Sequence, residues 1–244
     1  MNKLSSFGLI SLSALILTTS CSKVVGDGMG TVSFSLENNW EISDITKSNV
    51  ADFTTLPQSG QFKVSITDAQ DAVTPVNDIS QAVALAAGNY TAKAEFGSCS
   101  EEGFDKPCFI GSKEFSVQGG SRTGVSINVK LANCLVKIET TPEFRKYYTD
   151  YNFTITSGAG TEVLFAKDES RAAFFDAYLI RVKGSLVGQN GKSVNFESKE
   201  YKNLAPATCY TLKFDVSNVG SSSIKISFND SAEDVSLGEY ELNN

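Results

Sequence analysis

The sequence predicts an all-β protein, two tandem antiparallel β-sandwich domains of immunoglobulin-like type behind a lipoprotein signal peptide. Three observations predict it. Apolar and polar residues alternate along most of the chain, which is the mark of strands with one buried face. Clusters of Gly, Asn, Ser and Asp interrupt the alternation at short intervals, as turns between antiparallel strands do. Residues 21–244 are more than one small sandwich needs, and they suit two domains of roughly 100 residues each.

The elements follow in order. Lys3 supplies a positive start, Phe7–Leu17 a short apolar run, and Thr18-Thr19-Ser20 leads into Cys21. The run is too short to span a bilayer stably, so residues 1–20 read as a signal peptide cleaved before Cys21, whose thiol takes a lipid. Thr18 stands where such signals usually carry leucine, with Leu17 one place back, and ordinary secretion is the alternative. Residues 21–29, with Gly26-Asp27-Gly28, form a tether.

The first domain, residues 30–132, opens with Val32, Phe34 and Leu36 alternating with Thr31, Ser33 and Ser35. Further strands carry Phe62, Val64 and Ile66, then Tyr90, Ala92, Ala94 and Phe96, then Phe115 and Val117. Val125, Ile127, Val129 and Leu131 close it. The second domain, 133–244, continues with Val136 and Ile138, Tyr151 to Ile155, Val163 and Phe165, and Tyr178, Ile180 and Val182. Val194 and Phe196, Tyr210 to Val216, and Ile224, Ile226 and Phe228 complete it. One short helix is expected over 168–175. Leu85-Ala86-Ala87-Gly88-Asn89-Tyr90-Thr91-Ala92-Lys93 has an echo in the second half, Leu204 to Lys213, with one extra residue before Tyr210. Two topologically related sandwiches would produce such an echo.

Composition excludes several functions. Without the signal, 20 basic residues face 28 acidic ones, and no basic run relieves the excess, so nucleic acid is not an expected partner. Membrane attachment rests on the lipid at Cys21, because nothing after Leu17 is apolar for long enough to span. The chain has no histidine, which removes Ser-His-Asp and Cys-His nucleophiles and the commonest general base. A hydrolase built on paired carboxylates stays formally open and ranks last. Gly119-Gly120 and Gly158-Ala159-Gly160 lack the Lys-Ser/Thr and helix of a phosphate loop and read as turns. No EF-hand or four-cysteine zinc spacing occurs, so no metal or cofactor is expected.

Cys99 and Cys108 bracket a polar stretch between two strands. In an oxidising envelope a disulfide there would pin a solvent-facing loop without touching either core, the alternative being two thiols. Cys134 and Cys209 read as small core residues. The aromatic, polar cluster Phe144, Arg145, Tyr147, Tyr148 and Tyr151 would suit a sugar or protein partner, against a reading as packing side chains. Trp40 poses the same choice.

A resemblance then becomes specific. Leu85 to Ala92, Phe104-Asp105-Lys106-Pro107-Cys108-Phe109-Ile110-Gly111-Ser112, Lys113 to Val117 and Val129 to Cys134 occur in an order that resembles Bacteroidetes outer-membrane lipoproteins of a fimbrillin-like family, as does the opening Gly30 to Leu36. The resemblance implies two transthyretin-like sandwiches, export as a lipoprotein, and a role in surface or type V pilus assembly, anchoring or adhesion. Pilus subunits or surface glycans would be the partners. Polymerising members typically lose their first strand by proteolysis after a basic residue, opening a groove for a neighbour's strand. Here no arginine precedes Arg122, Lys47 is the nearest basic residue after the first strand, and alternation changes phase at Gly238, so an uncleaved anchor or stand-alone protein is expected rather than a stalk subunit. Ser22-Lys23-Val24-Val25 lacks the acidic stretch of surface-exported members; an outward-facing lipoprotein of the outer membrane is nevertheless the reading taken.

Overall fold

The computed structural model describes residues 28–43, 48–217, 223–228 and 231–237. The signal peptide, Cys21, the tether up to residue 27, Lys47 and Gly238 lie outside them.

Strands β1 (Met29–Asn39), β2 (Lys63–Asp68), β3 (Val73–Val76), β4 (Val83–Ala86), β5 (Gly88–Phe96), β6 (Phe109–Val117) and β7 (Arg122–Leu131) make one sheet, ordered β3-β2-β5-β6-β7-β1-β4. Strand β6 pairs with β5 along its whole length but with β7 only through Phe109, Ile110 and Gly111. The sheet therefore folds over at that corner and faces itself. Val64 and Ile66 of β2 and Ala92 and Ala94 of β5 share one buried cluster with Val32 of β1 and Val125, Ile127 and Val129 of β7. These are the alternating positions of the sequence, so the two layers are held by the faces that the period-two pattern marks.

The second half contains β8 (Cys134–Thr140), a helix α1 (Pro142–Tyr147), β9 (Tyr148–Ser157), β10 (Glu162–Phe165), β11 (Ala173–Phe175), β12 (Leu179–Gly188), β13 (Ser193–Glu197), β14 (Tyr201–Lys202), β15 (Cys209–Val216), β16 (Ser223–Phe228) and β17 (Ser231–Ser236). One sheet runs β10-β9-β12-β13 with β14 also on β12, the other β11-β8-β15-β16-β17. Between them Phe153 and Phe214 stack at 4.1 Å, and Phe144, Phe196 and Phe228 join the same cluster. In each half the first strand lies parallel to a late one, β1 to β7 and β8 to β15; among the described strands the other pairings are antiparallel.

The expected helix over 168–175 is absent. Asp168 takes φ +80° in a turn, and the chain then enters β11. The run Ala172 to Phe175 is apolar at every position because it is buried on both faces: Ala173 and Phe175 belong to the second-half cluster, Ala172 and Phe174 to the first. A short continuous apolar run reads equally as helix or doubly buried strand. The observed helix is α1, started by Thr141, whose Oγ1 accepts the Phe144 N–H at 3.0 Å, with Pro142 in the first turn. Tyr178 is also corrected, since β12 begins one residue later and the ring is 62% exposed.

The Leu85 and Leu204 echo reflects turn chemistry. Tyr90 donates its hydroxyl to the Ala86 carbonyl at 2.9 Å, and the Tyr210 hydroxyl accepts the Ala205 N–H at 2.8 Å. Each tyrosine pins the turn that precedes its own strand, which explains the shared text. The strands themselves are not equivalent, because β5 is antiparallel to both neighbours and β15 is parallel to β8.

Candidate functional site

The Cys99–Cys108 bond, with Cα atoms 5.1 Å apart, closes a loop that does more than was expected of it. Instead of standing clear of the cores, the loop docks onto the second half. Gly103 exchanges two backbone hydrogen bonds with Phe174, of 2.8 and 2.9 Å, at φ +128°, a conformation that side-chain-bearing residues rarely adopt. Beside it, Glu102 accepts the Asp176 N–H at 2.9 Å through one carboxylate oxygen and the buried Ser157 hydroxyl at 2.5 Å through the other. Phe104 meets Phe165 edge-on at 5.0 Å, and Arg171 covers Phe104 at 4.5 Å while reaching Asp105 at 3.2 Å.

The loop's base is tied just as closely. Ala132 N–H donates to the Cys108 carbonyl at 2.8 Å, and Cys108 N–H donates to the Asn133 side-chain oxygen. Asn133, buried between β7 and β8, also accepts the Ala207 N–H at 2.8 Å through its carbonyl. Ser43 donates to the Ala207 carbonyl at 2.8 Å and accepts the Cys209 N–H at 3.1 Å. The two halves thus share backbone hydrogen bonds at the segments around 43 and 103, and Asn133 adds a bond from its side chain to the Cys108 N–H.

On its other side the loop forms one wall of an open cavity of about 570 Å³. The floor is the end of the β2–β5 pair, where Lys63 and Glu95 stand opposite each other and Phe96 lies half-buried beside them. Phe96 is held by Phe62 at 5.7 Å and Phe109 at 6.1 Å. Thr54 and Gln61 form the opposite lip. Gly97 turns the chain from floor to wall: at φ +75°, a Cβ there would lie 2.1 Å from the Pro107 carbonyl oxygen, so only glycine lets the strand end meet the loop's return leg. Each carboxylate of the cavity has a cation beside it. Glu101 pairs with Lys106 at 2.6 Å, Glu95 with Lys93 at 2.7 Å and Asp105 with Arg171. The Lys106 hydrogen bond and charge hold the Glu101 carboxyl below its usual range.

The residues singled out from sequence fall elsewhere. Phe144, Tyr148 and Tyr151 are buried in the second-half core, their rings 4.7 to 5.3 Å apart across Phe144, so these three pack rather than present a face to a ligand. Arg145 is exposed and donates to Thr140, and Tyr147 is half-buried against the same core. The constellation is therefore not brought together as one surface. Trp40 packs edge-on against Phe109 at 4.9 Å as a half-buried anchor of the first core. Cys134 and Cys209 are buried thiols outside the disulfide, and burial pushes the Cys134 thiol up to about 12. Among the described residues no group of His, Cys, Asp and Glu gathers to hold a metal ion, and no helix is long and apolar enough to cross a membrane. Sequence reasoning missed Glu102, Gly103 and Phe104; the signal was a phenylalanine inside an otherwise charged loop.

A family model described as a domain of unknown function, DUF4493, matches residues 28–239. The chain belongs to the DUF4493 family. No curated protein matches it. Solved structures similar to this DUF4493 chain include a candidate polysaccharide-binding protein (DUF1812) from Bacteroides thetaiotaomicron, at 12% identity and TM-score 0.45, over 86% of this chain and 99% of that one. A candidate cell adhesion protein from Bacteroides ovatus matches at 10% identity and TM-score 0.44, over 86% and 98% of the two chains. The fimbrial anchor protein Mfa2 from Porphyromonas gingivalis matches at 10% identity and TM-score 0.38, over 84% and 98%. Similarity this distant carries no statement about ligand.

Proposed function

We infer that this DUF4493 chain is a non-enzymatic, fimbrillin-like lipoprotein of the cell envelope, held in the outer membrane by lipid on Cys21 and acting at the surface as an anchor or adhesin. Its working parts are two sandwich domains, 30–132 and 133–244. The observation that carries the reading is the state of β1. It lies inside the first sheet, paired in parallel with β7 from Thr31 to Asn39 and antiparallel with β4 from Met29 to Val32. No lysine or arginine occurs between Lys23 and Lys47, so the strand offers no basic cleavage point along its length. A subunit that polymerises by accepting a neighbour's strand must vacate such a slot; a chain that keeps its own strand there is suited to anchoring or adhesion.

Protease shaving of intact cells combined with mild gel electrophoresis tests this. An exposed monomer that retains β1 is expected. A ladder of polymers lacking β1 would convert the reading to a stalk subunit, and a fully protected protein would remove the surface role. Alkyne fatty-acid labelling should tag the wild type and not Cys21→Ala; equal labelling of both would remove the lipid anchor.

A further inference from the structure

We propose that the end of the first half at which β1 begins is a bilayer-docking surface, lying against lipid headgroups and turning the second half outward. The inference rests on the lipid at Cys21 and deepens that reading by assigning which way the anchored chain stands. In the first half, Phe96, Phe109 and Leu131 lie at the joint, where the disulfide loop meets the second half. At the opposite, free end Asp68 pairs with Tyr90, Gly88 with Val117 and Thr31 with Arg122. A ten-residue strand such as β7 is about 30 Å long, which separates the free end from the joint. The second half leaves the joint at the paired Ser157 and Ile180, beside Glu102, and finishes at the paired Tyr148 and Gly188. Its far end carries α1, whose Tyr147 carbonyl accepts the Gln189 N–H at 3.1 Å.

The start of β1 is fixed between two turns of the free end. The Gly28 carbonyl accepts the Ala87 N–H at 2.8 Å, the Met29 carbonyl accepts the Gly120 N–H at 2.7 Å, and a Cβ on Gly119 would lie 3.1 Å from the Gly28 Cα. Cys21 is seven residues before Gly28, a span of at most about 25 Å when fully extended. A lipid on that cysteine keeps the free end within reach of the headgroups, whereas the joint is farther from Gly28 than the tether is long. Charge then selects the surface that touches. The chain carries 28 acidic against 21 basic residues and a membrane surface is negative, so the molecule approaches it best through an end with little charge. The turns of the free end, 69–72, 87 and 118–121, hold one charged residue, Asp71, with Asp68 and Arg122 at the adjoining strand ends. The Asp68 carboxylate is itself turned back onto its hairpin, accepting the Gln70 and Ala72 N–H groups at 2.9 Å each. Val73, beside the same hairpin turn, is 64% exposed, the most exposed of the large apolar side chains described, and Ala69, Ala72 and Ala87 are exposed as well. Small neutral side chains with one larger apolar contact suit a surface that rests on headgroups without entering the hydrocarbon. With this end down, α1 and the turn at Gly188–Lys192 form the end that an adhesive partner meets first.

The experiment couples the chain from Cys21 onward, disulfide intact, to a maleimide lipid in vesicles of phosphatidylethanolamine and phosphatidylglycerol. Cys134 and Cys209 are buried and Cys99 and Cys108 are bonded to each other, so coupling falls on Cys21. A benzophenone amino acid replaces Gln70, Ala87 or Gln118 at the free end, or Glu143 or Lys146 on α1. Illumination should give at least fivefold more lipid adduct from each free-end position than from either α1 position. Val73→Glu with Ala87→Glu, both at exposed side chains, should cut the adduct at Gln118 at least threefold at unchanged coupling and melting temperature. Equal adducts from both ends, a larger yield from α1, or a yield at Gln118 indifferent to the added acids would each overturn the proposal. The coupling is chemical, so a failure of fatty-acid labelling on cells would remove the native anchor without altering these yields, and the two readings fail separately.

Discussion

Removing the disulfide should loosen the contact that its loop makes with Phe174 and Asp176 of the second half. Cys99→Ser with Cys108→Ser opens a loop whose ends are 9 residues apart in sequence. The chain-entropy relation makes a closure of that length worth roughly 2.6 kcal/mol at room temperature. For a chain of this size that corresponds to a melting temperature lower by about 5–10 °C. The structure adds where the loss should appear. Gly103 and Glu102 hold the backbone of Phe174 and Asp176, so a loop released from its closure should surrender those bonds first. Thermal unfolding of the double variant gives the magnitude, and hydrogen exchange gives the location. The expected result is a larger loss of protection at the Phe174 and Asp176 amides than at the amides of β12 and β9. Equal melting temperatures would refute the entropic argument. A drop in stability with Phe174 and Asp176 still fully protected would refute the clasp, because it would mean that the disulfide stabilises the loop alone.

Phe144→Ala should cost about 3–5 kcal/mol by denaturant unfolding, since the ring is wholly buried among Tyr148, Tyr151 and Phe214, whereas Tyr147→Ala should cost much less. Tyr210→Phe removes a part-buried bond from the Ala205 N–H and should cost about 1 kcal/mol, more than Tyr90→Phe, whose bond is exposed to water. Cys134 should resist alkylation in the folded protein at mildly alkaline pH and label on unfolding, because a buried thiol pushed up to about 12 stays protonated; rapid native labelling would contradict its burial. Glu101 titrates below the ordinary carboxylate range because Lys106 favours its charged form. The stabilising pair is therefore fully present above the ordinary range and lost only as pH falls through the lowered value, which carboxyl NMR of Glu101 can follow.

Strands with one wet face were legible in the sequence because burial alternates along them. The period-two positions of β7, Val125, Ile127, Val129 and Leu131, are all buried, and the residues between them are exposed or half-buried. Where a strand has two dry faces the signal vanishes. β11, buried on both sides, was expected as a helix, and the start of β8 joins both clusters, Cys134 and Val136 on one side and Leu135 on the other. These doubly buried segments are the ones that join the halves. Helix α1 was missed for a related reason: six residues are too few to display a helical period, and only the Thr141-Pro142 start carries a local mark.

The same reasoning explains why the candidate site was hard to see. A cluster of aromatic residues draws attention in a sequence, yet aromatic side chains are large and the core takes them first, as it took Phe144, Tyr148 and Tyr151. The cavity beside the disulfide loop is built instead from residues that are ordinary one at a time. Lys63 and Glu95 are 32 positions apart in sequence and become a cavity floor only through the β2–β5 register, and Lys106 joins them only because the disulfide returns the loop past Gly97. Register and loop closure are long-range properties that alternation does not encode. The two cysteines around a polar stretch were the one local trace of that closure, and Phe104 between them marked where it would dock.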